Sequence, residues 1–152
     1  MRIELTRDVK KRLRSSLREA RDREIGGMLF AEQLEPGYFC IVDFSLDPFS
    51  GSHAKFQRDP QSHQGTLDNF FRRTGRDFGR FNYLGEWHSH PFFSVHPSMQ
   101  DVNTMKDIVE DESSVITFAV LLIVGLRFRL WIEHSLTIFA RDQAPQRSRI
   151  SR

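Results

Sequence analysis

EWHSHPFFSVHPSMQD, residues Glu86 to Asp101, is the most informative stretch of this 152-residue sequence. The stretch predicts the end of a strand, then a loop with two prolines, then a helix that begins after Ser98. His88 and His90 are separated by one residue, so both side chains project from the same side of an extended chain. Asp101 lies near the start of the helix, where its carboxylate can return to the same point.

These residue types are those of a catalytic zinc site. Two imidazoles and one carboxylate leave a fourth position open for water, and Zn–N bonds of about 2.0–2.1 Å let both histidines meet one ion. Each part also has a simpler interpretation: paired histidines often lie on a strand surface, and Ser98 with Asp101 matches a helix capping box. The fixed separation of the two parts, with the acid Glu24 upstream, favours the metal site.

Hydrophobic periodicity outward from this stretch predicts one α/β (α+β) domain with a largely antiparallel mixed sheet flanked by helices. Helices are expected from about residue 7 to Arg21, over residues 62–74, and after Ser98. The expected strands are residues 2–5, 25–30, 38–44, 83–88, 115–124, 127–134 and 136–139, with a turn at Gly125. Residues 47–60 read as a long loop. The domain is assigned to residues 1–142, and the basic tail 143–152 is expected to be disordered.

Composition excludes several classes of protein. The formal net charge is only +2, and the basic clusters lack the interleaved aromatic residues of a nucleic-acid footprint, so no nucleic-acid partner is expected. Cys40 is the only cysteine, which excludes an internal disulfide and a cysteine-based zinc site. No apolar run has the length of a signal peptide or a membrane helix, so the expected location is cytoplasmic, without membrane association.

The motif as a whole resembles the signature of the JAMM (MPN-plus, or JAB) zinc metallopeptidases. That signature is His-Ser/Thr-His, seven residues, and then Ser-x-x-Asp. The matching residues here are His88, Ser89, His90, Ser98 and Asp101. The family's upstream acid, often followed by two glycines, resembles Glu24 ahead of Gly26 and Gly27. The resemblance covers nearly the whole chain except the tail, and implies the family's curved sheet in a JAMM/cytidine-deaminase-like architecture.

Carried over by position, the resemblance implies a role for each motif residue. His88, His90 and Asp101 would bind one catalytic Zn²⁺, which lowers the pKa of its bound water to about 7. Glu24 would hold that water, act as general base, and pass the proton to the departing amine. Ser98 would stabilise the developing oxyanion through a hydrogen bond.

The resemblance also implies a substrate class. JAMM enzymes hydrolyse the peptide or isopeptide bond after the C-terminal glycine of a ubiquitin-like protein, whose extended tail could add to an exposed sheet edge. The small size resembles stand-alone prokaryotic members, including the CBASS antiphage group, in which a nucleotidyltransferase C-terminus is released from its conjugate. Two alternatives stay open, a peptidase that processes a sulfur-carrier protein and a non-catalytic MPN scaffold. The complete motif argues against the scaffold.

Overall fold

The structure is a computed structural model that describes residues 1–46, 60–92, 94–128 and 131–151, with side chains of the second segment described from residue 64. Its elements are β1 (Arg2–Leu5), α1 (Arg7–Ala20), β2 (Gly26–Glu35), β3 (Tyr38–Phe44), α2 (Pro60–Arg73), β4 (Phe81–Ser89), α3 (Met99–Glu110), β5 (Phe118–Arg127), β6 (Trp131–Ala140) and β7 (Gln146–Ser148). The long loop expected at residues 47–60 lies, but for its last residue, outside the described residues. No helix among the described residues has the length and apolar character needed to cross a membrane.

A seven-stranded sheet in the order β1-β3-β2-β4-β5-β6-β7 forms the centre of the molecule. The pairs β1–β3 and β4–β5 are parallel, and the other four pairs are antiparallel. This arrangement confirms the predicted fold class, a mixed and largely antiparallel sheet with helices.

The helices cover both faces of this sheet. Along β5, Val120 and Leu122 pack in one core cluster with α1, whereas Leu121 packs in a second cluster with α3. Phe70 of α2 stacks on Phe30 of β2 at a centroid distance of 4.6 Å. Because alternate residues of a strand face opposite sides, a continuous apolar run such as β5 is what a strand buried on both faces requires.

The structure corrects the predicted ends of β5 and β6. Gly125 is not a turn but lies inside β5, and β6 is one strand rather than the two short strands that were expected. A Cβ atom at Gly125 would lie 3.1 Å from a methyl group of Val95 and 3.3 Å from the His90 carbonyl oxygen. The glycine therefore lets the loop after His90 approach the strand. From the sequence pattern alone, a glycine required by such a close contact looks the same as a glycine in a turn.

The structure also corrects the expectation of a disordered tail for residues 146–151. β7 pairs with β6 in antiparallel register, and Ile150 forms a bridge with Ile3 of β1. The Ser151 amide donates a hydrogen bond to the Ile3 carbonyl oxygen at 2.8 Å. We call this contact between the first and last segments of the sheet the seam. Composition predicted disorder because the tail is polar, but backbone pairing does not require apolar side chains.

Asp43 of β3 connects α1 and α2. Its carboxylate accepts hydrogen bonds from Arg12 at 2.7 Å and from Arg73 at 2.6 Å. Partial burial opposes ionisation of Asp43, but the hydrogen bonds from Arg73 and Arg12 outweigh it, so the pKa of the carboxyl lies below its ordinary value. The ion pair is thus formed in the folded state over the whole neutral range.

We expect Asp43→Asn to lower the free energy of unfolding by about 1–3 kcal/mol at neutral pH, because two charged hydrogen bonds are weakened. A lowered folded-state pKa gives stability that is present above the unfolded pKa of about 3.9 and lost as the pH falls through the folded pKa. Urea denaturation should therefore show the two proteins converging in acid. Asp8→Asn removes an exposed partner of Arg12 and is the control, with little expected effect. A deficit for Asp43→Asn that persists unchanged in acid would contradict this account.

Candidate metal centre

The histidine pair and the upstream acid come from two neighbouring strands at one end of the sheet. His88 lies in β4 opposite Gly26 of β2, and Glu24 precedes β2. Backbone and side-chain hydrogen bonds join the two segments: the Ser89 amide donates to the Ile25 carbonyl at 2.7 Å, and the Ile25 amide donates to Ser89 Oγ at 3.0 Å. Ser89 is fully buried. This serine, between the two histidines of the motif, therefore holds the Glu24 segment beside them.

The ligand atoms of these side chains lie at distances that suit one ion. Nε2 of His88 and Nε2 of His90 are 3.1 Å apart, and Nε2 of His90 is 3.8 Å from Oε1 of Glu24. Oδ1 of Asp101 lies 3.4 Å from Nε2 of His88. A tetrahedral ion with bonds of 2.0–2.1 Å separates its ligand atoms by about 3.3 Å, so the observed spacing fits zinc.

The membership of the cluster differs in one respect from the sequence prediction. Among the described residues, Glu24, His88 and His90 form a group whose potential ligand atoms all lie within 4.8 Å of one another. Asp101, which the sequence analysis placed in the ligand set, joins this group through its contact with His88. Glu24, which the sequence analysis assigned to catalysis, lies within the group.

Hydrogen bonding orients His90, and burial keeps His88 neutral. The ring of His90 places Nδ1 2.7 Å from the Ser94 carbonyl oxygen, which can only accept, so Nδ1 donates and the neutral ring would offer Nε2 to the cluster. Burial lowers the pKa of His88 to about 4, although the Asp101 charge opposes the shift. His88 is therefore neutral at neutral pH, as a metal ligand must be.

The capping box and the approach of Asp101 to the histidines are both present. The Ser98 amide donates to Oδ2 of Asp101 at 2.7 Å, and the Asp101 amide donates to Oγ of Ser98 at 3.2 Å. The other carboxylate oxygen, Oδ1, faces His88. The cap uses a lone pair of the Ser98 hydroxyl and not its hydrogen, so Ser98 keeps one donor. The two interpretations that the sequence left open are compatible, because each oxygen has its own partner.

Three contacts that the sequence did not indicate hold the loop between the histidines and α3. Ser135 of β6 donates to the Val95 carbonyl oxygen, and Val95 itself is buried. His96, in the same loop, lies with Nδ1 3.1 Å from a guanidinium nitrogen of Arg147 in β7. The contact between Ser94 and His90 is the third. All three cross large sequence separations or use a backbone carbonyl, which no local pattern shows.

Solved structures place the architecture in a known class. The chain superimposes on protein DSY2949 from Desulfitobacterium hafniense with a TM-score of 0.69 and 19% identity, covering 98% of this chain and 91% of that one. A JAB1/MPN domain protein, AF2198 from Archaeoglobus fulgidus, gives a TM-score of 0.54 at 13% identity, with 99% and 96% covered. The fold is thus that of the JAB1/MPN domain.

Sequence comparison identifies the family within this class. Residues 6–138 match the family model described as prokaryotic homologs of the JAB domain, and the chain belongs to that family. A CD-NTase/cGAS isopeptidase of Vibrio cholerae is 34% identical over 80% of this chain and 76% of its own length. The Escherichia coli protein of the same name is 30% identical over 72% of this chain and 65% of its own length. Yeast ubiquitin carboxyl-terminal hydrolase RPN11 is 26% identical over 72% of this chain, which spans only 35% of it.

Proposed function

We propose that this chain is a zinc-dependent isopeptidase of the JAMM type that hydrolyses the bond after the C-terminal glycine of a ubiquitin-like protein or of a similarly conjugated protein. The observation that carries the proposal is the convergence of Glu24, His88 and His90, with Asp101 3.4 Å from His88. The names of the relatives, CD-NTase/cGAS isopeptidase and ubiquitin carboxyl-terminal hydrolase, support the same bond type.

His88, His90 and Asp101 would hold the zinc ion. When bound, zinc supplies a Lewis acid that polarises a carbonyl oxygen and lowers the pKa of water. Burial keeps His88 neutral, and the hydrogen bond to the Ser94 carbonyl oxygen favours the tautomer of His90 that presents Nε2 to a metal. The neighbouring hydrogen bonds orient the ligands, which is how proteins tune such sites.

Glu24 and Ser98 would perform the proton transfer and the charge stabilisation. Oε1 of Glu24 lies 3.8 Å from His90, close enough to accept a proton from a water that attacks the scissile carbonyl. The same carboxyl then returns the proton to the departing nitrogen. The free hydroxyl hydrogen of Ser98 would donate a hydrogen bond to the carbonyl oxygen as negative charge develops on that oxygen.

The conjugated protein would be a nucleotidyltransferase with a C-terminal glycine. The reaction would take place in the cytoplasm and would serve bacterial antiphage defence. The V. cholerae and E. coli relatives carry the words CD-NTase and isopeptidase in their names, and this favours deconjugation over the processing of a sulfur carrier. A sulfur-carrier peptidase would use the same side chains but would remove residues beyond a glycine pair from an unconjugated carrier.

The proposal is tested with the purified chain and two reporters, a ubiquitin-like protein and a nucleotidyltransferase, each joined through its C-terminal glycine to a lysine side chain. We expect about one zinc per chain, cleavage of at least one conjugate, and loss of cleavage on chelation with recovery on adding zinc. His88→Ala should bind no zinc and cut neither conjugate. A wild-type chain that binds no zinc would refute the proposal. Zinc without turnover on either conjugate would favour the scaffold, and cleavage of an extended free carrier alone would favour the sulfur-carrier peptidase.

Replacing Ser98 with alanine should affect both stability and rate. Loss of the N-cap should cost about 1 kcal/mol of unfolding free energy, and loss of the oxyanion donor should lower kcat by about 10²–10³-fold. Thr6→Ala is a matched control, because Oγ1 of Thr6 caps α1 by accepting an equivalent hydrogen bond from the Val9 amide. Chemical denaturation and steady-state rates should show similar destabilisation in both variants and a loss of rate only in Ser98→Ala. Equal rates in the two variants would exclude the catalytic role of Ser98.

A further inference from the structure

A pocket of about 250 Å³ opens beside the metal centre, between the end of α1 and the loop that follows His90. Its walls come from three segments: the end of α1 with the residues after it, the loop with Phe92, and the end of β5 with Leu126. We call it the basic pocket. Its defining side chains are Arg18, Arg21, Arg23, Phe92 and Leu126.

The charge of the basic pocket is not compensated within the part of the chain that the structure describes. Arg18, Arg21 and Arg23 are exposed, and no described carboxylate lies within 4.0 Å of their guanidinium groups. By contrast, several arginines elsewhere do bind carboxylates: Arg2, Arg12, Arg73 and Arg80. Asp22 is the one acid that lines the pocket, so positive charge is in excess.

The helix dipole accounts for only part of this clustering. A cation at the C-terminal end of a helix is favoured by the partial negative charge there, and Arg18 lies in the last turn of α1 while Arg21 is its C-cap. Arg23 lies beyond the cap and lines the same pocket. Three arginine residues that line one small pocket form a site that matches carboxylates, each of which an arginine can bind through two hydrogen bonds.

An apolar surface adjoins these charges. Phe92, two residues after His90, is 68% exposed, and Leu126 is partly exposed. Large aromatic side chains beside arginines are the usual anchors of protein recognition surfaces. The fitting occupant is therefore a peptide segment that carries acidic residues next to an apolar one.

The position of the basic pocket connects it to the reaction. Arg23 directly precedes Glu24, and Pro91 directly follows His90, so two walls of the pocket are continuous in sequence with the candidate metal centre. A segment bound there would lie beside the bond to be cut. Binding energy gained in the basic pocket, beside the reacting atoms, can position the substrate for attack.

We propose that the basic pocket binds an acidic segment of the conjugated protein next to the scissile bond. The identity of the partner as a conjugate rests on the proposed function. A protein segment fits better than a nucleic acid, because the pocket is small and has one aromatic residue. An extended basic surface with several stacking aromatics would be needed for a nucleic acid.

The test is a binding measurement by fluorescence anisotropy with two labelled peptides of equal length. One carries Asp and Glu residues around a leucine, and the other has Asn and Gln in their place. We expect the acidic peptide to bind at least about tenfold more tightly than its neutral partner, which is a difference of about 1.4 kcal/mol, and to weaken as salt is raised. The double variant Arg18→Glu, Arg21→Glu should lose this preference.

The matched control is Lys10→Glu, Lys11→Glu, which makes the same change of charge on α1 outside the pocket. We expect it to bind the acidic peptide within about twofold of wild type, because it leaves the short-range guanidinium contacts in place. Equal losses in the two double variants, equal binding of the two peptides, or tighter binding of an oligonucleotide of the same length would each overturn the inference. Circular dichroism should show that both variants are folded like the wild type.

The experiment separates this inference from the proposed function. Peptide binding is measured without turnover, and it can be repeated in the Glu24→Gln variant. Cleavage of conjugates with no charge preference in binding would overturn the basic pocket alone. A charge preference that maps to Arg18 and Arg21 in a protein that cleaves nothing would overturn the proposed function alone.

Discussion

Replacing Glu24 with glutamine is expected to lower the cleavage rate by about 10²–10⁴-fold while the zinc content of the protein stays unchanged. The amide has nearly the shape of the carboxylate but cannot accept a proton at neutral pH. Glu24 lies in the compact group with His88 and His90, 3.8 Å from the nearer imidazole nitrogen. Its proximity is compatible with a base beside the metal and with a direct ligand, and the variant separates these two roles.

Metal analysis and steady-state kinetics on the same preparation provide the measurement. A drop in both zinc content and rate would identify Glu24 as a ligand and contradict its assignment as base. Glu19→Gln is the control, because Glu19 is an exposed acid near the end of α1 and lies outside the metal group. We expect the control to keep both its zinc and its full rate.

Replacing Gly85 with alanine is expected to lower the free energy of unfolding by at least about 3 kcal/mol. Gly85 lies in β4, three residues before His88, with a φ of +154° that side-chain-bearing residues rarely adopt. A Cβ atom would lie 2.0 Å from the Val120 carbonyl oxygen and 2.5 Å from the Val120 amide nitrogen. The backbone of β5 would have to move, and β5 pairs with β4, the strand that carries His88.

Thermal and urea denaturation measure this effect, and zinc affinity measures its spread to the metal centre. Gly79→Ala is the matched control, because the nearest atom to its added Cβ is a side-chain oxygen at 3.7 Å. It should change stability by no more than about 0.5 kcal/mol, as is usual for an exposed position. If Gly85→Ala were as stable as this control, the close approach of β4 and β5 would not be a constraint on the fold.

Much of the fold could be predicted from local patterns. The spacing of Val9, Leu13 and Leu17 predicted α1, and the structure buries all three. Strands were predicted over residues 25–30 and 38–44, on either side of Pro36, and β2 and β3 form an antiparallel pair there. These elements are determined by contacts between residues close in sequence, which periodicity shows directly.

The errors occurred where distant contacts determine the structure. Gly125 was predicted to be a turn because a glycine in a sequence often marks one. The glycine is needed instead because the loop at Val95, thirty residues earlier in the chain, packs closely against it. The polar residues of β7 looked disordered because their stability comes from backbone pairing with β6. A single sequence carries no signal for such long-range partners.

The candidate site was predicted as a set of residues and not as a geometry. Motif spacing was sufficient to expect His88, His90 and Asp101 near one point, and the structure brings each within 3.4 Å of a neighbour in the set. The serine between the histidines was not assigned a role, although its small hydroxyl could have indicated a buried contact. The supporting carbonyl of Ser94 could not have been found, because every residue offers the same group.

The seam has a consequence for the order in which the chain folds. Ile3 and Ile150 pair with each other although almost the entire chain separates them in sequence. Contacts of such long range carry the highest cost of loop closure and slow the folding of the proteins that depend on them. We therefore expect the seam to form last. During synthesis, one edge of β1 then stays unpaired until the last residues have been made. An unpaired strand edge can pair with another chain, so this is the stage at which association between nascent chains is most favoured.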